Sequence, residues 1–274
     1  MIVVTGATGN VGRNVVRILA AAGEQVTAVS RQPVQPSQLP PGVRHIRGDL
    51  AEPVSLKPAL EGADTLFLLV AGDDPQGILD LAKAAGIQRV VLLSSQGART
   101  RPEVYRHPAA FEEAVQGSGL AWTILRPGGF HSNAYAWADQ IRSQRTAAAP
   151  FGDIGLPAID PADIAEVAAA TLTQDGHTGR AYELTGPEPV TPRERVAAIG
   201  GALGTPVRFV EQTREEARAQ MLRFMPEPVV DGTLAILGEP SGDEQQVSPD
   251  VERILGRAPR TFADWAARNI AAFR

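Results

Sequence analysis

The sequence predicts an α/β fold: a doubly wound parallel sheet followed by a small, mostly helical C-terminal lobe. Three observations lead there. Short β-branched runs alternate with helical stretches from residue 2 to residue 125. The strand at 64–70 carries a continuous apolar run, as a strand buried on both faces requires. Past Thr185 the alternation fails and helix signals dominate.

The elements follow in order. Ile2-Val3-Val4-Thr5 is the first strand, and Gly6-Ala7-Thr8-Gly9-Asn10-Val11-Gly12 turns it into a helix over 13–19. A strand entering a helix through a glycine turn binds a pyrophosphate, because bare helix amides and the helix dipole favour an anion. Gly6 permits the turn, Gly9 lets backbone approach phosphate, and Gly12 lets helix and strand pack closely. The spacing is Gly-x-x-Gly-x-x-Gly rather than the common Gly-x-Gly-x-x-Gly. The geometry is nonetheless that of a Rossmann-type dinucleotide site, with Thr8, Asn10 and Val11 completing the loop.

Residues 25–30 form a second strand closed by Ser30-Arg31. An acid at this strand end meets the adenosine ribose in NAD sites. A hydroxyl and a guanidinium suit the 2′-phosphate of NADP, with Arg13 as a second cation. NADP(H) is therefore expected over NAD(H). Four prolines make 32–42 irregular. A third strand over 43–47 leads to Gly48-Asp49-Leu50, where Asp49 either reads the adenine amino group or caps the helix at 54–60. Strands at 64–70 and 88–95 flank a helix over 75–85. Ligands sit at the carboxyl ends of such strands, which aligns Gly6–Gly12, Arg31, Asp49, Leu50, Ala71, Ser94 and Ser95 on one rim.

A helix over 106–116 and a strand over 121–125 run into Arg126-Pro127-Gly128-Gly129-Phe130-His131. Asp160 and Pro161 open an alanine-rich helix. A strand at 181–184 and another at 206–212 follow. Helices are expected at 191, where Thr191 and Glu194 form a capping box, and over 213–224, 229–237, 250–255 and 261–273. The domain reading is a dinucleotide-binding domain over 1–150 and a substrate lobe over 151–274, with 160–175 packing back on the first.

Composition narrows the function. The chain has 274 residues, 43% hydrophobic and 21% charged, with net charge −5 and no cysteine. That gives no basic footprint for nucleic acid and no polybasic membrane patch. It excludes disulfides and thiolate chemistry and suits a cytoplasmic setting. A strand at the very start leaves no room for a signal peptide, and no apolar run is long enough to span a bilayer. Four scattered histidines offer no metal-ligand spacing. Glu112-Glu113 reads as a solvated helix face.

Several motifs occur in a familiar sequence. The Thr5–Gly12 turn, Gly48-Asp49-Leu50, the stretch Ser118 to Gly128, Asp160 with Asp163-Ile164-Ala165, Tyr182 to Pro187, and the closing Thr261-Phe262, Trp265 and Asn269 resemble the NmrA-like group. This group belongs to the atypical short-chain dehydrogenase/reductase superfamily. The resemblance covers nearly the whole chain. It implies NAD(P)(H) as ligand, a small C-terminal lobe around a substrate pocket, and one of two functions. Some relatives reduce quinones, ketones, imines or activated alkenes with NADPH; others are redox-sensing regulators that bind a protein partner.

The wider superfamily pairs a Tyr with a Lys four residues on. Here Tyr105, Tyr135 and Tyr182 are followed at that spacing by Ala109, Asp139 and Gly186, and the only lysines are Lys57 and Lys83. Catalysis without that pair suits quinones and polarised alkenes, which collect a proton from water or another side chain. The candidate proton donors are His131, Tyr105, Tyr135 and Ser95, with His107 behind them. Pro127 and Gly128 join Ala71, Ser94 and Ser95 around the ribose and nicotinamide. Phe130, His131 and Tyr135 wall the substrate. The expected reading is an NADPH-dependent oxidoreductase acting on a small apolar molecule, with a homodimer left open; the alternative is a non-catalytic NADP(H) sensor.

Overall fold

Seven strands form one sheet: β1 (Ile2–Val4), β2 (Val26–Ser30), β3 (Arg44–Arg47), β4 (Thr65–Leu69), β5 (Arg89–Leu93), β6 (Ala121–Pro127) and β8 (Arg180–Leu184). The spatial order is β3-β2-β1-β4-β5-β6-β8. Pairings from β3 through β6 are all parallel. Two further strands, β7 (Thr146–Ala149) and β9 (Arg208–Glu211), pair parallel in a separate ribbon. The computed structural model describes residues 1–274 apart from the side chain of Pro36.

The chain divides into two compact units. The first comprises Met1–Pro127, Pro161–Glu183 and Arg253–Leu255. Its sheet order reverses between β1 and β4, because the chain leaves β1 toward β2 and β3 and then returns to the other side. Such a switch point opens a crevice at the strand ends. Thr5 marks it: its hydroxyl donates to the Phe67 carbonyl at 2.9 Å and accepts from Leu69 N at 3.0 Å. Val3, Leu66, Leu68, Val90, Leu92 and Ile124 are buried with Ile78, Leu79, Phe111 and Val115 from the helices Pro75–Ala84 and Arg106–Gly117. The helix Pro161–Thr173 is buried almost all round, which its alanines permit. Its burial explains why it belongs to this unit despite following a long excursion of the chain.

The second unit comprises Gly128–Asp160, Leu184–Glu252 and Gly256–Arg274. Phe262, Trp265 and Phe273 pack with Ile141, Val196 and Ile199 in its core. Four helices here start with a complete capping box, at Thr191, Thr213, Ser241 and Thr261. Each box satisfies two orphan amides at once.

Several elements depart from the sequence expectation. The helices Gln96–Thr100 and Ala138–Gln144, the 3-10 turn His131–Trp137 and strand β7 were not foreseen. Glu112 is the clearest correction. It is not a solvated residue but is 6% exposed, and it is held by Arg126 of β6 through both carboxylate oxygens. Glu113 faces solvent.

Candidate functional site

In the first unit the glycine turn is pinned from both sides. Ala7 N donates to the Val29 carbonyl of β2 at 3.0 Å, and Gly9 N to the Gly6 carbonyl at 2.9 Å. Gly6 has φ +60, and a Cβ there would lie 2.0 Å from Leu69 Cδ1. A Cβ on Gly12 would lie 2.2 Å from the Gly6 carbonyl oxygen. Steric necessity thus accounts for both residues. A Cβ on Gly9 would meet only the Gly6 oxygen, at 3.1 Å.

The helix Gly12–Ala21 begins here with Val11 at its cap position, no side-chain cap bond and no acidic residue in its first turn. Arg13 N and Asn14 N donate to the Gly9 and Val11 carbonyls, and the dipole of the helix, uncompensated by any acid, fits a phosphate anion. The loop's shape and charge therefore fit the pyrophosphate of a dinucleotide. Thr8, Gly9 and Arg13 are exposed beside it, and Asn10 is half-buried.

The rim residues lie at the strand ends as expected from topology. Ser30 closes β2 and Arg31 follows, exposed. Asp49 makes a local turn, its Oδ1 accepting from Ala51 N at 3.0 Å. It does not cap the next helix, whose cap position is Glu52. Gly72, with φ +77, passes so close over the Leu50 carbonyl that a Cβ would lie 2.2 Å from its oxygen. This crossing brings Ala71 against the Leu50 turn. Ser94 is buried and donates its hydroxyl to Glu112 at 2.5 Å. It therefore offers only lone pairs to a ligand.

Ser95 caps the short helix Gln96–Thr100, accepting from Gly97 N at 3.2 Å. Its own proton is not given to any acceptor among the described residues. Tyr105 packs its ring on Gly97, where a Cβ would lie 2.7 Å from ring carbons. Ser95 and Tyr105 thus meet at one glycine, a proximity that nine intervening residues hide in the sequence. His107 is turned away, its Nε2 2.6 Å from the Gly72 carbonyl oxygen.

In the second unit His131 is enclosed, 2% exposed, between the edges of Phe262 and Trp265. Its Nε2–H donates to the Ala158 carbonyl, and Nδ1 is buried with no partner. Burial pulls its pKa down to about 4, against the attraction of Asp160. At neutral pH the ring is uncharged, and neither nitrogen presents a proton outward. This placement departs from the expected leading role as donor. Asp160 is buried too, and its carboxylate is paired with Arg268. Arg195 stands over the Phe262 ring, and burial lowers its pKa to about 10.

Tyr135 is 37% exposed, and its hydroxyl donates to Asn269 Oδ1 at 2.7 Å. Phe130 precedes the turn and pairs through the backbone with Ile159. Gly128 N donates to the Leu184 carbonyl at 3.0 Å, and Pro127, which ends β6, is buried. Among the described residues no cluster of His, Asp and Glu could hold a metal, and no helix is long and apolar enough to cross a membrane.

Comparison with known proteins agrees with this geometry. A family model described as NAD(P)H-binding matches residues 6–175. The chain is 38% identical over 281 residues to the (4-alkanoyl-5-oxo-2,5-dihydrofuran-3-yl)methyl phosphate reductase of Streptomyces griseus, covering all of this chain and 99% of that one. It is 35% identical to the NAD(P)H azoreductase of Xenophilus azovorans, again over 100% and 99% of the two chains. Among solved structures it is similar to an NADPH-dependent quinone oxidoreductase from Escherichia coli, with TM-score 0.82 and 25% identity over 98% of this chain and 99% of that one. With the sealed glycine turn, the uncapped helix terminus and the β1/β4 switch point, these matches place the chain in the NAD(P)H-binding family.

Proposed function

We propose that this protein is an NADPH-dependent reductase of a small, apolar, electron-poor acceptor, such as an enone, a quinone or an imine. The observation that carries the reading is the glycine turn. Gly6 and Gly12 are required by sterics, whereas Gly9 faces outward beside an uncapped helix terminus. NAD(P)H bound there supplies a hydride. The turn would hold the pyrophosphate, Arg31 the 2′-phosphate, and Asp49 and Leu50 the adenine side. Ala71, Ser94, Ser95, Pro127 and Gly128 would meet the ribose and nicotinamide.

What remains for the protein is a proton. Ser95 and Tyr105 share Gly97 and are the groups we assign to proton delivery. No lysine lies at the superfamily spacing from Tyr105, and a phenol without that lysine transfers its proton less readily. The reading therefore favours acceptors whose reduced form is a stabilised anion, which waits for its proton. Two relatives carry names that fit a conjugated acceptor: one is named as the reductase of an alkanoyl dihydrofuranone bearing a methyl phosphate, the other as an azoreductase. Phe130 and Tyr135 are proposed as apolar walls, with His131 behind them as a packed support.

The test combines binding and turnover. NADPH and NADP⁺ affinities are measured by tryptophan fluorescence, and NADPH absorbance is followed with panels of enones, quinones, imines, azo compounds and ketones. Turnover of at least one electron-poor acceptor is expected. Turnover of none, with strong discrimination between NADPH and NADP⁺, would reject the reductase in favour of the redox sensor.

A further inference from the structure

The cofactor reading leaves the arginine at the end of β3 without a task. Residues 25–48 contain no Asp or Glu, and they carry Arg31, Arg44, His45 and Arg47. Arg44 is turned away, donating to the Pro58 carbonyl. Arg47 ends β3 directly opposite Ser30, the last residue of β2, in the parallel register. Its Nε donates to the Arg31 carbonyl at 3.1 Å. That bond occupies one of five donors and leaves both terminal nitrogens of the fork. Among the described residues neither the Arg31 nor the Arg47 guanidinium has a carboxylate partner. Two exposed forks therefore stand at adjacent strand ends, tied together through the Arg31 backbone.

Ser30 looks like a further phosphate ligand but is spent. Its hydroxyl donates to the Gln32 carbonyl at 2.7 Å. His45 Nε2 lies 2.9 Å from the same oxygen, and with the hydroxyl proton engaged the imidazole must be the donor. A phosphate dianion needs donors, and Ser30 has none left.

We propose that Arg47 and Arg31 together form the clamp for the 2′-phosphate of NADP(H), with the Ser30–His45 pair holding the turn that presents Arg31. Arg47 is thus a determinant of cofactor specificity contributed by β3. The assignment rests on the NADP(H) reading above. The bond from Arg47 to the Arg31 carbonyl sets the spacing of the two planes, so a lysine at 47 would keep the charge and lose the fork.

Equilibrium binding of NADPH, NADH and adenosine 2′,5′-bisphosphate to the full chain tests it. The wild type should prefer NADPH. Arg47→Gln should weaken NADPH and the bisphosphate about tenfold, the loss of a charge-assisted bond, and leave NADH within about twofold. Arg47→Lys should fall between. Added salt should weaken NADPH for the wild type more than for Arg47→Gln. If the wild type prefers NADPH but Arg47→Gln keeps that preference, or weakens both nucleotides equally, the clamp is wrong while the NADP(H) reading stands. A wild type with no preference overturns both.

Discussion

Three glycines in the opening turn have different physical reasons, and mutation separates them. Gly12→Ala drives a Cβ to 2.2 Å from the Gly6 carbonyl oxygen, a clash with backbone that cannot rotate away. It should cost about 1–3 kcal/mol of stability, as overpacking does, read as a fall in the urea midpoint. Gly9→Ala meets a single atom at 3.1 Å. It should lower the midpoint less than Gly12→Ala does yet weaken NADPH at least about tenfold, because the methyl projects where phosphate must approach. Wild-type NADPH affinity in Gly9→Ala would remove this loop as the cradle.

His131 allows a second prediction at this scale. Its folded pKa is about 4, from an ordinary value of 6.5, because the ring is buried. Between these values the unfolded chain takes up a proton that the folded chain refuses. Stability is therefore full above about pH 6.5 and falls as pH drops toward 4, by about 3 kcal/mol for a shift of this size. Urea midpoints at pH 7, 6, 5 and 4.5 should fall for the wild type. His131→Gln, whatever its stability at pH 7, should show a shallower fall over that range. Parallel curves would mean that His131 is charged in the folded state.

At the scale of elements, the ion pair between Arg126 of β6 and Glu112 of the helix Arg106–Gly117 is the clearest case. Glu112 receives both Arg126 and the Ser94 hydroxyl in a buried setting. Arg126→Met leaves a buried carboxylate with no cation of its own and should cost about 3–5 kcal/mol. Glu112→Leu with Arg126→Met removes both charges and should recover most of that loss. If the double variant is no more stable than Arg126→Met, the charge is not what matters. This pair also shows where the sequence stops being legible. Strands β1 to β6 and the glycine turn could be read locally, since β-branched runs, glycines and caps act within a few residues. Glu112 could not, because its partner lies fourteen residues away on another element. Thr146-Ala147-Ala148-Ala149 has little intrinsic strand preference, and β7 exists through its pairing with β9. The meeting of Ser95 and Tyr105 at Gly97 was likewise hidden by an unforeseen helix, although Ser95 before Gln96-Gly97 is itself a cap signal.

At the scale of the molecule, connectivity decides what can fold alone. The sheet unit takes in Pro161–Glu183 after a second-unit segment, Gly128–Asp160, has intervened. The helix Pro161–Thr173 buries Ile164, Ala165, Val167, Ala168 and Leu172, and within the same unit it lies against the helix Gly12–Ala21 and strands β4 to β6. Val15, Val16 and Leu19 of that first helix are themselves buried. A fragment of residues 1–150 keeps the whole glycine turn but exposes one apolar face of the sheet to water. Burial of that face is the dominant favourable term for such a layer. The fragment should therefore lack a cooperative urea transition and bind a hydrophobic dye, the signs of lost packing. A fragment of residues 1–183 restores the covering helix and should regain a sigmoidal transition and measurable NADPH binding. A cooperative, NADPH-binding 1–150 fragment would show that the turn and its first strands suffice, and that the helix Pro161–Thr173 covers a layer already stable without it.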